Sequence, residues 1–109
     1  MAYSKSMLFI ETPTFTRLIA ALLDDAEYAN LQTKLSQYPD AGDLIKNGGG
    51  IRKLRWKRAG TGKSGGIRVI YYWLTADHQI LMLTAYPKSL KDNLTDQETA
   101  ILRSLVKEL

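Results

Sequence analysis

Lys53 and Arg55 are two residues apart in a run that alternates like a strand, and a third cation, Arg68, opens the next apolar run. Side chains two apart on a strand project from the same face. A hairpin closed by a loop from about Arg58 to Gly66 brings Arg68 opposite or near Arg55 or Trp56. Three cations then reach one phosphate, and like charges that close repel unless an anion sits between them. The chemistry that uses such a group is RNA cleavage by attack of a 2′-hydroxyl on the adjacent phosphate. Negative charge gathers on the phosphoryl oxygens, and placed guanidinium and ammonium groups stabilise it. One such donor is worth roughly 10²–10³ in rate. Tyr86 and Lys88, at the end of the last apolar run, are the candidates for proton transfer. Tyr86 also reads as an aromatic at the core edge, and Arg68 as half of a strand-end ion pair.

Other chemistries find less support. His78 is the only histidine and falls in a turn between two strands, without nearby acids to build a metal cluster or a Ser-His-Asp triad. No metal and no cofactor are expected. Gly60 to Gly66 contains a lysine, but a strand follows it, so no helix N-terminus faces a phosphate there. The absence of cysteine excludes disulfides, zinc–thiolate sites and thiol nucleophiles.

The net charge of +4 conceals a segregation. From Leu44 to Ala76 there are eight basic residues and no acid, while the other 76 residues carry 7 basic and 11 acidic side chains. Such a block points to a polyanionic partner, most often nucleic acid. Lys46, Lys57, Arg58 and Lys63 then grip an RNA backbone without reading its sequence. The plainer alternative is a solvated strand face. Tyr71, Tyr72 and Trp73 can stack on bases, but their positions in a strongly apolar run favour sheet core.

The 109 residues make one domain, 1–109, and their 45% hydrophobic and 24% charged content suits a folded, soluble chain. No apolar run reaches the roughly 18 residues of a membrane span, and Met7-Leu8-Phe9-Ile10 is too short for a signal-peptide core. No membrane partner is expected, and a reducing cytoplasm fits.

These residues need elements to hold them. Lys5 to Glu11 reads as a strand ended by Thr12-Pro13. Phe15 to Leu23 has helical spacing, with Thr14 a candidate cap. Asp24 and Glu27 open a second helix whose face is Tyr28, Leu31, Leu35 and Tyr38, stopped by Pro39. Asp40 to Gly50 reads as loop. Ile51 to Lys57 alternates, with Lys53, Arg55 and Lys57 on one face and Arg52, Leu54 and Trp56 on the other. Ile67 to Leu74 and Gln79 to Tyr86 are apolar strands joined by a turn at Thr75 to His78. Thr95 and Glu98 form a capping box for a last helix with a buried stripe of Ile101, Leu102, Leu105 and Val106. The order predicts an α+β domain with an antiparallel-dominated sheet. A helical hairpin lies on one face, and the other face is open to a partner.

The run Gly42-Asp43-x-Ile45, then Gly49-Gly50-Ile51-Arg52-Lys53-Leu54-Arg55, then Gly62-Lys63-x-Gly65-Gly66-x-Arg68-Val69-Ile70-Tyr71-Tyr72, resembles the HigB-type branch of the RelE toxin superfamily. Leu83-Thr84-Ala85-Tyr86-Pro87-Lys88 and Asp92-Asn93-Leu94-Thr95 extend the resemblance over nearly the whole chain. It implies the compact RelE-like fold and a type II toxin that cuts mRNA on the ribosome. It also implies a cognate helix-turn-helix antitoxin. Lys53 and Arg55 match the family's basic pair on its second strand, and Arg68 matches the arginine of its G-x-R-x-x-Y pattern. Lys88 falls where the family places a basic residue after the last strand. The tyrosine that some relatives carry in a C-terminal segment has no counterpart between Thr95 and Leu109. The general base stays open between Lys53, Lys88 and Tyr86.

Overall fold

A computed structural model describes residues 6–58 and 65–109. Its elements run β1 (Leu8–Glu11), α1 (Pro13–Leu22), α2 (Asp25–Gln37), β2 (Asp43–Leu44), β3 (Arg52–Trp56), β4 (Ile67–Leu74), β5 (Gln79–Pro87) and α3 (Asp96–Lys107). They build an α+β fold of three helices and a five-stranded mixed sheet in the order β1-β5-β4-β3-β2. Among the described residues, β1 pairs in parallel against β5 and the other pairs are antiparallel.

Local chemistry sets the helix ends. Thr12, not Thr14, caps α1: its hydroxyl accepts the Phe15 N–H at 3.0 Å, because Pro13 already occupies the first helical turn, where its missing N–H costs nothing. Asp24 caps α2 through the Glu27 N–H at 2.7 Å. Tyr38 lies just past the end of α2 and is exposed, not on its buried face. At α3, Thr95 and Glu98 make both halves of the capping box.

Period-two alternation divides the strands between two cores. Leu54, Val69, Tyr71, Ile80 and Met82 pack with Phe15 and Ile19 of α1 and Leu31 and Leu35 of α2. Ile70, Leu81, Leu83 and Tyr86 face the opposite way, with Val106 of α3. The expectation of one sheet face free for a partner is therefore corrected. β4 and β5 carry apolar side chains on both faces, so α3 is needed to cover the second one. At the end carrying Lys53 and Arg68, the segment between β5 and α3 takes the place of the helix.

Two further corrections follow from packing, and one reading, that Tyr71 is core, holds. Asp43–Leu44 forms a short strand inside the stretch expected to be loop, paired with Lys53 and Arg52. Two exposed residues show no periodicity, so only the partner strand reveals them. The stripe on α3 is narrower than expected: Val106 is buried, but Ile101 is 61% and Leu105 42% exposed. These two border an apolar groove with Thr12, Thr14 and Leu83. Tyr71 is wholly buried, its hydroxyl donating to the Pro39 carbonyl at 2.7 Å and accepting the Gly42 N–H at 2.8 Å. That aromatic is core, not a base-stacking surface.

Candidate nucleic-acid interface

Strand register places the basic residues. Arg55 lies opposite Arg68, and Arg68 opposite Tyr86, so the three form one row across β3, β4 and β5. Directly paired residues share a sheet face. Lys53 belongs to the next row, opposite Ile70, on that same face. A bulge on β5 between the pairs Ile70–Thr84 and Tyr71–Met82 sets the register at which Tyr86 joins the row.

The row borders a cleft of about 240 Å³ lined by Arg55, Lys57, Arg68 and Lys88 together with Trp56 and Gly66. Among the described residues, four cations and no carboxylate line it. The Lys88 N–H donates to the Gly66 carbonyl at 2.9 Å, which holds the two ends of the cleft together.

The row also meets the segment joining β5 to α3. Arg68 directs Nε and Nη2 at Asp92 Oδ1, at 2.8 and 2.6 Å, and Nη1 at the carbonyl of the preceding Ile67. The Arg68 side chain is 7% exposed and that of Asp92 51%. Lys53 is buried, and its ammonium donates to Asn93 Oδ1 and to the Asp92 carbonyl. The Tyr86 hydroxyl stands 3.4 Å from the same Asp92 carbonyl. Asp92 and Asn93 thus bind three of the sequence-selected residues at once. On the outer side, Arg55 pairs with Asp43 at 3.1 Å.

The ion-pair reading of Arg68 is borne out, and Arg55 is paired as well. The basic block contains no acid of its own, yet β2 and the β5–α3 segment fold a carboxylate onto each arginine. The repulsion between Arg55 and Arg68 that the sequence implies is relieved by these anions. The two pairs differ in character. Arg55 and Asp43 are 56% and 75% exposed, and such surface pairs are worth about 0.2–1 kcal/mol. The exposed Arg55–Asp43 pair is therefore readily broken. Arg68 is held from below by two nitrogens on one oxygen and is much less free to turn.

Titration narrows the roles. The Arg68 hydrogen bond holds the Asp92 carboxyl below the usual carboxylate range, with Lys53 and Arg55 adding attraction. Burial pushes the Tyr86 hydroxyl up to about 12, with Arg68 opposing and Asp92 and Glu98 assisting. The shift favours the protonated phenol, which suits Tyr86 to donating a hydrogen bond near neutrality. Lys53 and Lys88 remain as the amines of the site.

The four residues selected for backbone grip separate. Lys57 lines the cleft with Arg55. Lys46 lies in a neighbouring cleft beyond Lys53. Arg58 donates to the Gly65 carbonyl at 2.6 Å. Lys63 lies outside the described residues. Asp92, Asn93 and Asp43 are the site residues that sequence reasoning missed. The available signal was an acid and an amide shortly after the strand bearing Tyr86, in a chain whose basic strands lack any counter-charge. Among the described residues no group of acids and histidines could hold a metal ion, and no helix is long and apolar enough to cross a membrane.

Residues 14–109 match the model of a protein family described as the RelE toxin of the RelE/RelB toxin–antitoxin system. The match takes in every residue of the cleft.

Proposed function

The chain belongs to the RelE family of toxins from toxin–antitoxin systems, and we propose that it is an endoribonuclease of the HigB-type branch, cutting mRNA on the ribosome in the cytoplasm. The family brings an antitoxin partner; a helix-turn-helix antitoxin is part of this reading. The observation that carries it is the cleft lined by Arg55, Lys57, Arg68 and Lys88, with no carboxylate among the described residues that line it, and with Tyr86 and Lys53 beside it on the same sheet face.

In this reading the scissile phosphate enters the cleft and displaces Asp43 from Arg55. Arg55, Lys57 and Lys88 contact its oxygens, and the buried Arg68 fixes the floor. As the 2′-hydroxyl attacks, charge builds on the phosphoryl oxygens, and these groups stabilise it without reorganising. The protonated Tyr86 hydroxyl donates a hydrogen bond. Lys88, which lines the cleft, or Lys53, which stands beside it on the same sheet face, carries the proton from the 2′-hydroxyl to the departing 5′-oxygen. The bond from phosphorus to the 5′-oxygen breaks, leaving a cyclic phosphate and a 5′-hydroxyl.

The test is induced expression with mapping of RNA ends. Growth arrest with new 5′-hydroxyl ends inside translated codons, abolished by Arg68→Ala in a protein that stays folded, is the expected result. Absence of new ends during arrest would defeat cleavage. It would leave a second reading, an RNA-binding module that blocks translation without cutting, which the pairing of both arginines with internal carboxylates favours.

A further inference from the structure

The basic cleft is one end of a longer path. Arg55 also borders a second cleft of about 360 Å³, between the β2–β3 edge and the first turns of α3, where Lys53, Asn93 and Lys46 lie. That cleft shares Lys46, Asp96 and Thr99 with a third, of about 280 Å³, which ends at Arg103. Asp96, Thr99, Ala100 and Arg103 follow the i, i+3, i+4, i+7 spacing of one helix face, so α3 forms one wall of the second and third clefts. Lys53 and Arg55 recur on the opposite wall at about 6.7 Å, the rise of two strand residues. That interval is close to the spacing of phosphates in an extended single strand.

The far end is built, not open surface. Arg103 Nη1 donates to the Asn47 carbonyl at 3.1 Å. A Cβ at Gly49 would lie 2.8 Å from Arg103 Cγ, so only glycine lets the arginine stem lie flat on that loop. Gly49 also has φ +69°, which favours glycine independently. The rest of the guanidinium fork is left for a ligand beside Lys46, whose ammonium has no partner among the described residues. Two carboxylates face the four cations of these clefts. Asp43 pairs with Arg55 until a phosphate takes its place, and its side chain, 75% exposed, can then turn to solvent at the rim. Asp96 stands in the first turn of α3, where the helix N-terminus offsets its charge.

We propose that this path is a subsite for single-stranded RNA flanking the scissile phosphate, with Lys46 and Arg103 holding the backbone at its end. The proposal rests on the placement of that phosphate at Arg55 and Arg68. It adds Arg103 and the α3 wall to the interface, and it makes affinity depend on strand length on one side of the cut.

The test is fluorescence anisotropy with the full chain and 2′-O-methyl oligouridylates of three, six and nine nucleotides, which cannot be cleaved. Affinity is expected to rise with length in the unmodified protein. The double variant Lys46→Glu/Arg103→Glu should lose that rise and keep its affinity for the shortest strand. Its slope of log affinity against log salt should fall by about 1.4, two phosphate contacts at about 0.7 each for single strands. Arg103→Lys keeps the charge and loses the Asn47 geometry, so it should retain most of the length dependence; loss there would mark a purely structural arginine and overturn the proposal. Unchanged length dependence and slope in the double variant would overturn it too. Arg55→Glu separates the two readings. If it leaves the shortest strand unaffected while the double variant still shortens the footprint, the phosphate placement fails and the α3 path stands.

Discussion

Two nitrogens of Arg68 converge on a single oxygen of Asp92, a residue 24 positions further along the chain. The pair sits at the floor of the proposed phosphate site, so Asp92 holds Arg68 in place and also competes with any incoming anion. Asp92→Asn keeps an acceptor for the guanidinium and removes the competing charge. RNA affinity is expected to rise roughly three- to fivefold, the order of effect of one like charge a few ångströms away in high dielectric. Binding of a labelled, cleavage-resistant oligonucleotide measures this. A fall in affinity would show that the carboxylate organises the site more than it blocks it.

The same pair gives a pH dependence. Arg68 lowers the Asp92 carboxyl in the folded protein, as Lys91 lowers that of Glu98. A depressed folded value contributes stability above the unfolded carboxylate range near 4 and loses it as pH falls through the folded value. Unfolding by urea should therefore become easier below about pH 4, and the Asp92→Asn protein should show a shallower acid limb. An identical limb in both proteins would show that Asp92 is not linked to folding.

Tyr86 titrates in the opposite direction. Its folded value, pushed up to about 12, lies above the ordinary phenol near 10. Stability tied to it is complete below about pH 10 and is lost as pH rises towards the folded value. For cleavage, the prediction is that Tyr86→Phe lowers the rate and leaves the shape of the pH–rate profile near neutrality unchanged, because the hydroxyl donates without ionising. Loss of a titrating limb in that profile would make Tyr86 the base.

How much of this was legible depended on distance along the chain. The caps at Asp24 and Thr95 are local, and a few residues suffice to specify them. The common face of Lys53 and Arg55 follows from strand periodicity, and the approach of Arg68 to Arg55 follows from hairpin closure. What the chain hides is long-range. Asp92 and Asn93 reach Lys53 across about 40 residues, and Asp43 finds Arg55 only once β2 adds itself to the edge of β3. The exposure of Ile101 and Leu105 depends on how α3 is seated over β5, which helical spacing alone cannot say. Arg103 carried no signal beyond its charge, because its significance comes from the loop that its stem crosses.

Tyr71 tests whether the fold positions the site or merely contains it. Its buried hydroxyl joins the Pro39 carbonyl to the Gly42 N–H, just before β2. A Cβ at Gly42 would lie 2.8 Å from the Tyr71 ring, so the backbone there rests directly on the aromatic. Tyr71→Phe preserves the packing and strands a buried N–H, at a cost of about 1–3 kcal/mol. Thermal melting should register this as a clear loss. Arg55→Ala breaks only an exposed pair and should change stability by less than about 1 kcal/mol, yet it should abolish cleavage, because the cleft loses the cation that meets the phosphate most directly. Melting curves and RNA-end mapping on both variants separate the two effects. If Arg55→Ala cleaved normally while Tyr71→Phe cleaved poorly, the basic row would be scaffold and the catalytic surface would lie elsewhere.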